Sequence, residues 1–174
     1  ETARIGNFLG ILGMLIAILT TLALPSILSY ELILIAILLG GGIGTLLAIK
    51  TKMTALPQLV ALFNSVVGLA ACFVAAAAFY RPEAYGIGTF LNINSLSIIE
   101  MNLGSAIGGV TFTGSVVAFA KLQGLVSGAP VTFKGQHQLN AILGIMLLVL
   151  LTWMIFEQTG TVFWAILCLS FIIG

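Results

Sequence analysis

Long apolar runs separated by short polar breaks make up almost the whole sequence. A membrane-spanning helix needs about 20 apolar residues, because it rises about 1.5 Å per residue across a hydrocarbon core of about 30 Å. Strands of a membrane barrel would instead alternate apolar and polar positions over about ten residues. The pattern therefore predicts six membrane-spanning helices, the last of them truncated, at residues 6–28, 32–49, 56–80, 98–122, 139–156 and 161–174.

Composition supports this prediction and excludes a soluble or a disordered protein. The chain is 60% hydrophobic and 6% charged, whereas a soluble domain is about 45–50% apolar and about 25% charged. So few polar residues could not cover a soluble domain, and the abundant apolar surface excludes disorder. We therefore expect an all-α, polytopic membrane bundle that forms a single domain over residues 1–174. Because the chain lacks an initiator Met and ends within an apolar run, we also expect it to be a segment of a longer polypeptide.

The basic residues are distributed unequally between the two sides of the predicted membrane. One side carries Arg4, Lys50, Lys52, Lys121 and Lys134, whereas the other carries Arg81. Because basic residues are retained on the cytoplasmic or matrix side, we expect the N-terminus and the connections at 50–55 and 123–137 on that side.

Small residues form stripes along the third and fourth predicted helices. In the third, six of them lie within about 80° on a helical wheel: Pro57, Ala61, Asn64, Gly68, Ala71 and Ala75. In the fourth, four residues lie within about 60°, and a second small pair follows an adjacent strip: Gly104, Gly108, Thr111 and Ser115, then Ser105 and Gly109. Small residues at this spacing allow helices to approach closely, so we expect packing contacts at Gly68, Gly104, Gly108 and Gly109.

Neutral polar side chains are the candidate functional groups, because no ionisable residue lies in the middle of a span. Asn64 lies about 12 Å along its helix from Leu56, and an amide at that depth needs a partner or water. It therefore predicts either an interhelical hydrogen bond in a packed interior or a water-lined path. The hydroxyl groups of Thr111, Thr113 and Ser115 can bond to carbonyls of their own helix or to water.

His137 precedes the fifth span, where it is either an interfacial residue or a group for gating or proton entry. The sequence contains no Ser/His/Asp set, no paired carboxylates and no metal-type cluster, so we expect neither catalytic residues nor a metal site. Both cysteines lie within apolar runs, which gives no disulfide framework. Nothing in the charge pattern indicates a nucleic-acid partner.

Two segments resemble hallmarks of the proton-translocating NAD(P) transhydrogenases. They are KMTALPQLVALFNSVVGLA at residues 52–70 and GVTFTGSVVAFAKLQG at residues 109–124. The opening ETARIGN and the segment GQHQLN at 135–140 also fit, so the resemblance runs in order over essentially the whole chain. It points to the membrane part of the beta subunit, whose NADP(H)-binding domain would lie outside these residues.

The resemblance implies an enzyme complex that passes a hydride from NADH to NADP+ between soluble domains, driven by inward proton movement. NAD and NADP would be cofactors of the parent complex, with none bound by this chain. The implied partners are the lipid bilayer, the remaining membrane helices, the NADP(H)-binding domain and the NAD(H)-binding subunit, in a dimeric assembly. The implied location is the inner membrane of a bacterium or a mitochondrion.

The resemblance also assigns roles to single residues. Asn64 matches a position where some members carry a His in the proton path. Because an amide does not titrate near neutral pH, a role in water positioning or gating is implied here. Gln58 stands where some members carry Glu, and Ser115 matches the serine of the TFTGS channel motif. The alternatives are a piece of an unrelated secondary transporter and a structural membrane anchor.

Overall fold

A computed structural model describes residues 2–23 and 29–174, which form six α-helices joined by short connections. The helices are α1 (Thr2–Leu22), α2 (Tyr30–Lys50), α3 (Leu56–Tyr80), α4 (Ser95–Leu122), α5 (Gln136–Phe156) and α6 (Gly160–Ile173). The prediction of an all-α bundle of about six helices is confirmed. Five helices are long and apolar enough to cross a membrane, and α6 is shorter, at 14 residues.

The helix ends differ slightly from the predicted spans. The predicted end of the first span, at residues 24–28, lies outside the described residues. Helices α4 and α5 begin at Ser95 and Gln136, three residues before the apolar runs. These first turns are polar, so the hydrophobic pattern did not include them, although a helix that leaves the hydrocarbon continues into the headgroup region.

The chain divides into two compact units, residues 1–49 and 50–174. The first unit contains α1 and essentially all of α2. Its two helices are linked where the Tyr30 hydroxyl donates a hydrogen bond to the Leu22 carbonyl oxygen at 3.3 Å.

In the second unit, α4 is central and packs against α3, α5 and α6. Its contact with α3 is a backbone-to-backbone approach, since a Cβ atom added at Gly68 would lie 2.7 Å from the Gly108 carbonyl oxygen. Helix α6 packs against another side of α4, where a Cβ atom at Gly109 would lie 2.7 Å from Ser170 Cβ. Glycine is therefore the residue that fits at Gly68, Gly108 and Gly109 in these two crossings.

Large apolar side chains concentrate at one end of this unit. Phe79, Ile98, Met154, Phe163 and Ile166 are fully buried there. The rings of Phe79 and Phe163 stack with centroids 5.0 Å apart, which joins α3 to α6. Burial of aromatic side chains is the largest single source of packing energy in such a core.

A small β-hairpin at the same end was missed by the sequence analysis. Strands β1 (Gly88–Thr89) and β2 (Asn92–Ile93) pair antiparallel after a short 3-10 helix at Pro82–Tyr85. Gln158, between α5 and α6, accepts a hydrogen bond from the Ile93 N–H at 2.7 Å and donates one to the Ile93 carbonyl at 3.0 Å. We call this end, comprising residues 81–94 and 157–159, the hairpin end, and the opposite end, with residues 50–55 and 123–135, the loop end.

Replacing Gln158 with leucine is expected to destabilise the hairpin by about 1–3 kcal/mol, because the N–H and the carbonyl oxygen of Ile93 would each lose a largely buried hydrogen bond. The amide hydrogen exchange of Ile93, measured by mass spectrometry, should accelerate about tenfold or more. The variant Gln158→Glu, which can still accept from the Ile93 N–H, should fall between the parent and the leucine variant. Unchanged exchange in the leucine variant would show that this amide does not hold the hairpin.

Candidate functional site

The close contact of Gly68 with Gly108 separates two polar surfaces on the α3–α4 pair. The helices run antiparallel, and at the loop end Gln58 Nε2 on α3 donates to the Leu122 carbonyl on α4 at 3.1 Å. The angle of each residue around its helix axis is measured from the glycine at the contact, Gly68 on α3 or Gly108 on α4. Because the two helices are antiparallel, residues rotated in the same sense from these glycines lie on the same side of the contact. Each residue adds about 100° of rotation, so the side on which each polar group lies can be read from its number.

On one side lie Asn64, Gly104, Thr111 and Ser115, which we call the open groove. Asn64 is about 40° from Gly68, and on α4 Ser115 and Thr111 are about 20° and 60° from Gly108 in the same sense. Asn64 is exposed, whereas Thr111 and Ser115 are half-buried. Along the helix axes, the three polar residues lie within about 6 Å of one another. The structure therefore brings an amide and two hydroxyl groups to one face, about a third of the helix length from the loop end.

On the other side, which faces α6, the polar side chains are buried. Three serines there donate hydrogen bonds from their hydroxyl groups to backbone carbonyl oxygens of their own helices at 2.7–2.8 Å: Ser65, Ser105 and Ser170. Asn102 is also buried, but neither its Oδ1 nor its Nδ2 has a hydrogen-bond partner in the part of the chain that the structure describes. This buried side is closed by packing, in contrast to the open groove.

The structure differs from the sequence prediction for the stripe on α3. Ala61, Gly68 and Ala75 are buried as part of a packed stripe, but Asn64 is exposed. The physical reason is the narrowness of the contact, because a glycine-mediated crossing covers a smaller arc than the roughly 80° stripe. On α4, a Cβ atom at Gly104 would have no neighbour within 4 Å. Both residues lie at the margin of the contact, on the groove side.

Two further predicted residues do not join the groove. Thr113 lies about 140° from Gly108 on the buried side, and its hydroxyl donates to the Gly109 carbonyl at 3.1 Å. His137 is exposed in the first turn of α5, at the loop end. It therefore lies on a different helix and outside the α3–α4 contact that forms the groove.

Asn102 and the contacts of Gln58 were not identified by sequence analysis. A signal for Asn102 was present, since it is an amide within an apolar run, the same feature that drew attention to Asn64. For Gln58 no local signal exists, because its partner Leu122 is 64 residues away. Its Nε2 binds a carbonyl at the last turn of α4, where helix carbonyls lack partners within the helix.

The groove presents chemistry suited to ordering water. Amides and hydroxyl groups both donate and accept hydrogen bonds, and none of them titrates near neutral pH. Among residues 2–23 and 29–174, no three His, Cys, Asp or Glu side chains lie close enough together to hold a metal ion. The groups of the open groove can therefore position water or a neighbouring helix, and they carry no charge of their own.

Comparison with known proteins places this arrangement in a family. The family model described as "NAD(P) transhydrogenase beta subunit" matches residues 1–174. Two curated proteins named NAD(P) transhydrogenase subunit beta, one from Rhodospirillum rubrum and one from a defined strain of that species, are each 58% identical over 137 residues. The match covers 79% of this chain and 30% of each relative, so the chain spans less than a third of their length. With its apolar helices, the chain is a multi-pass membrane protein that belongs to the NAD(P) transhydrogenase beta-subunit family.

Proposed function

We propose that this chain is part of the proton-translocating membrane domain of an NAD(P) transhydrogenase. In the parent complex, inward proton movement drives hydride transfer from NADH to NADP+ in soluble domains. Family membership supports this assignment, and so does the open groove, where neutral polar groups gather within two membrane-length helices, about 10–17 Å from their loop ends. The alternatives of an unrelated transporter or an anchor have no comparable support.

The exposed amide of Asn64 is the observation that carries the proposal. In contact with lipid, an amide without a partner would cost several kcal/mol, because hydrocarbon offers no hydrogen bonds. Asn64 therefore faces water or another membrane helix rather than lipid. We propose that further membrane helices of the parent protein cover this side of Asn64. The relatives of the chain are more than three times as long as the matched region. Between those helices and the open groove, water ordered by Asn64, Thr111 and Ser115 carries the proton.

The charges at the loop end support an orientation, and family membership supports the partners. Four of the six basic residues lie in or beside its two connections: Lys50, Lys52, Lys121 and Lys134. Because basic connections stay on the cytoplasmic or matrix side, the loop end faces the soluble domains there. We assign NADP(H) and NAD(H) to those domains, and the whole to a dimeric complex in a bacterial or mitochondrial inner membrane. His137, in the first turn of α5, is exposed on this side and is a candidate for gating.

The double variant Thr111→Val with Ser115→Ala tests the groove, because it removes two hydroxyl groups with little change in volume. In the parent complex reconstituted in vesicles, we expect proton movement coupled to hydride transfer to fall about tenfold, measured with a trapped pH dye. The matched control is Thr113→Val, which removes a hydroxyl from the buried side of the same helix and should leave the rate near that of the parent. Equal rates in the double variant and the parent would count against a path through the groove.

A further inference from the structure

Asn102 is a polar residue that is buried within the second unit. Its side chain is 1% exposed, and both of its amide atoms lack a partner in the described part of the chain. It lies about 10 Å along α4 from Ser95, well inside the apolar span. A buried donor or acceptor left unpaired loses its hydrogen bonds to water without replacement, so an amide that meets no partner is strongly disfavoured.

The neighbouring polar groups can complete a binding site for a small ligand. Ser105, one turn further along α4, is fully buried and donates a hydrogen bond to the backbone carbonyl oxygen of Asn102 at 2.8 Å. The lone pairs of the Ser105 hydroxyl oxygen remain free to accept a hydrogen bond. From α3, Cys72 Sγ reaches to 3.7 Å from the Ser105 carbonyl oxygen. Helix α6 packs against α4, and its Phe163 and Ile166 are fully buried.

We propose that Asn102 and Ser105 bind an ordered water molecule enclosed between α3, α4 and α6. Water suits the site because it can donate to Oδ1 or to the serine oxygen while it accepts from Nδ2. Buried waters in proteins make two to four such bonds to groups that would otherwise be unpaired. An ion is disfavoured, because the nearest charged residue on α4, Glu100, is exposed and lies about 160° around the helix from Asn102.

This water site is separate from the proposed proton path. Asn102 and Thr111 are nine residues apart, which places them about 180° apart around α4. The site therefore faces α6, whereas the open groove faces away from it. The inference depends on burial and hydrogen bonding alone, and it does not rest on the proposed function.

Radiolytic labelling of the intact parent complex tests the site, because X-rays convert bound water into hydroxyl radicals that oxidise the nearest sulfur. Cys72 is the reporter, since it is 4% exposed and lies beside Ser105. We expect Cys72 to be oxidised in the parent, measured by mass spectrometry. The variant Asn102→Leu should lower its oxidation rate at least threefold, and Asn102→Ser, which keeps a polar group and leaves room for water, should retain most of it.

Cys168 is the internal control, because it is exposed on α6 and its oxidation should not change among the variants. An unmodified Cys72 in the parent would overturn the proposal before any variant is needed. Equal oxidation in the parent and in Asn102→Leu would also overturn it, as would equal loss in the leucine and serine variants, which would indicate altered packing. Because hydride transfer and proton transport are not measured, failure here leaves the proposed function unaffected.

Discussion

Replacing Asn64 with leucine is expected to abolish proton transport, with coupled hydride transfer in vesicles reduced at least tenfold. Leucine is branched at Cγ like asparagine but cannot hydrogen-bond, so the water ordered at the middle of the open groove would lose its hydrogen-bond partner. Insertion should be unaffected, because leucine favours a membrane span. The measurement is the initial rate of acidification reported by a trapped dye, with the amount of assembled complex determined in the same vesicles.

Two variants distinguish a polar role from a packing role at this position. Asn64→His keeps a hydrogen-bonding group and should retain most of the transport rate. Ser65→Ala, at the next residue, removes a buried hydroxyl that bonds to the Leu62 carbonyl at 2.7 Å, and should change transport little. A leucine variant that transports protons at the parental rate would refute the role of Asn64 in the path.

A single methyl group at Gly68 is expected to destabilise the second unit by about 1–3 kcal/mol, the usual cost of overpacking. The added Cβ atom would lie 2.7 Å from both the Gly108 carbonyl oxygen and the Phe112 nitrogen. Both are backbone atoms that cannot rotate away, so Gly68→Ala would force α3 and α4 apart. The expected result is a lower midpoint in thermal unfolding of the purified complex.

Gly104→Ala is the matched control for this prediction, because it adds the same methyl group to α4. No atom lies within 4 Å of its Cβ position, and alanine is a better helix former than glycine by about 1 kcal/mol. Judged by the contacts within the second unit, the two substitutions should therefore shift the thermal unfolding midpoint of the purified complex in opposite directions. Equal shifts of the same sign would contradict a backbone contact at Gly68.

Hydropathy predicted the helices because a membrane imposes one dominant length and composition on each span. The glycines of the tightest contacts could also be identified, since Gly68 and Gly108 lie at helix-packing spacing. A helical wheel, however, gives angles within one helix and does not reveal which arc a neighbour covers. That is why the wheel grouped Asn64 with the packing stripe and left its environment open, whereas in the structure it lies exposed beside the contact.

The remaining features depend on residues far apart in sequence. The hairpin has strands of two residues, too short to give an alternating pattern, and it is fixed by Gln158 at a distance of 65 residues. The amide of Asn102 within an apolar run was a local signal, but its neighbours on α3 and α6 are brought together only by the tertiary packing. Local periodicity contains no information about either contact.

The two ends of the second unit are held unequally, which has a mechanical consequence. At the hairpin end, the side chain of Gln158 forms two hydrogen bonds with Ile93, and the Trp164 indole N–H donates a hydrogen bond to the Tyr80 hydroxyl at 2.9 Å. Across the loop end, the Gln58 amide links α3 to α4. Helix α4 is about 40 Å long, so a tilt of about 5° around its fixed end would displace the other end by roughly 4 Å. We therefore expect a tilt of these helices to displace the loop end, on one side of the membrane, more than the hairpin end on the other.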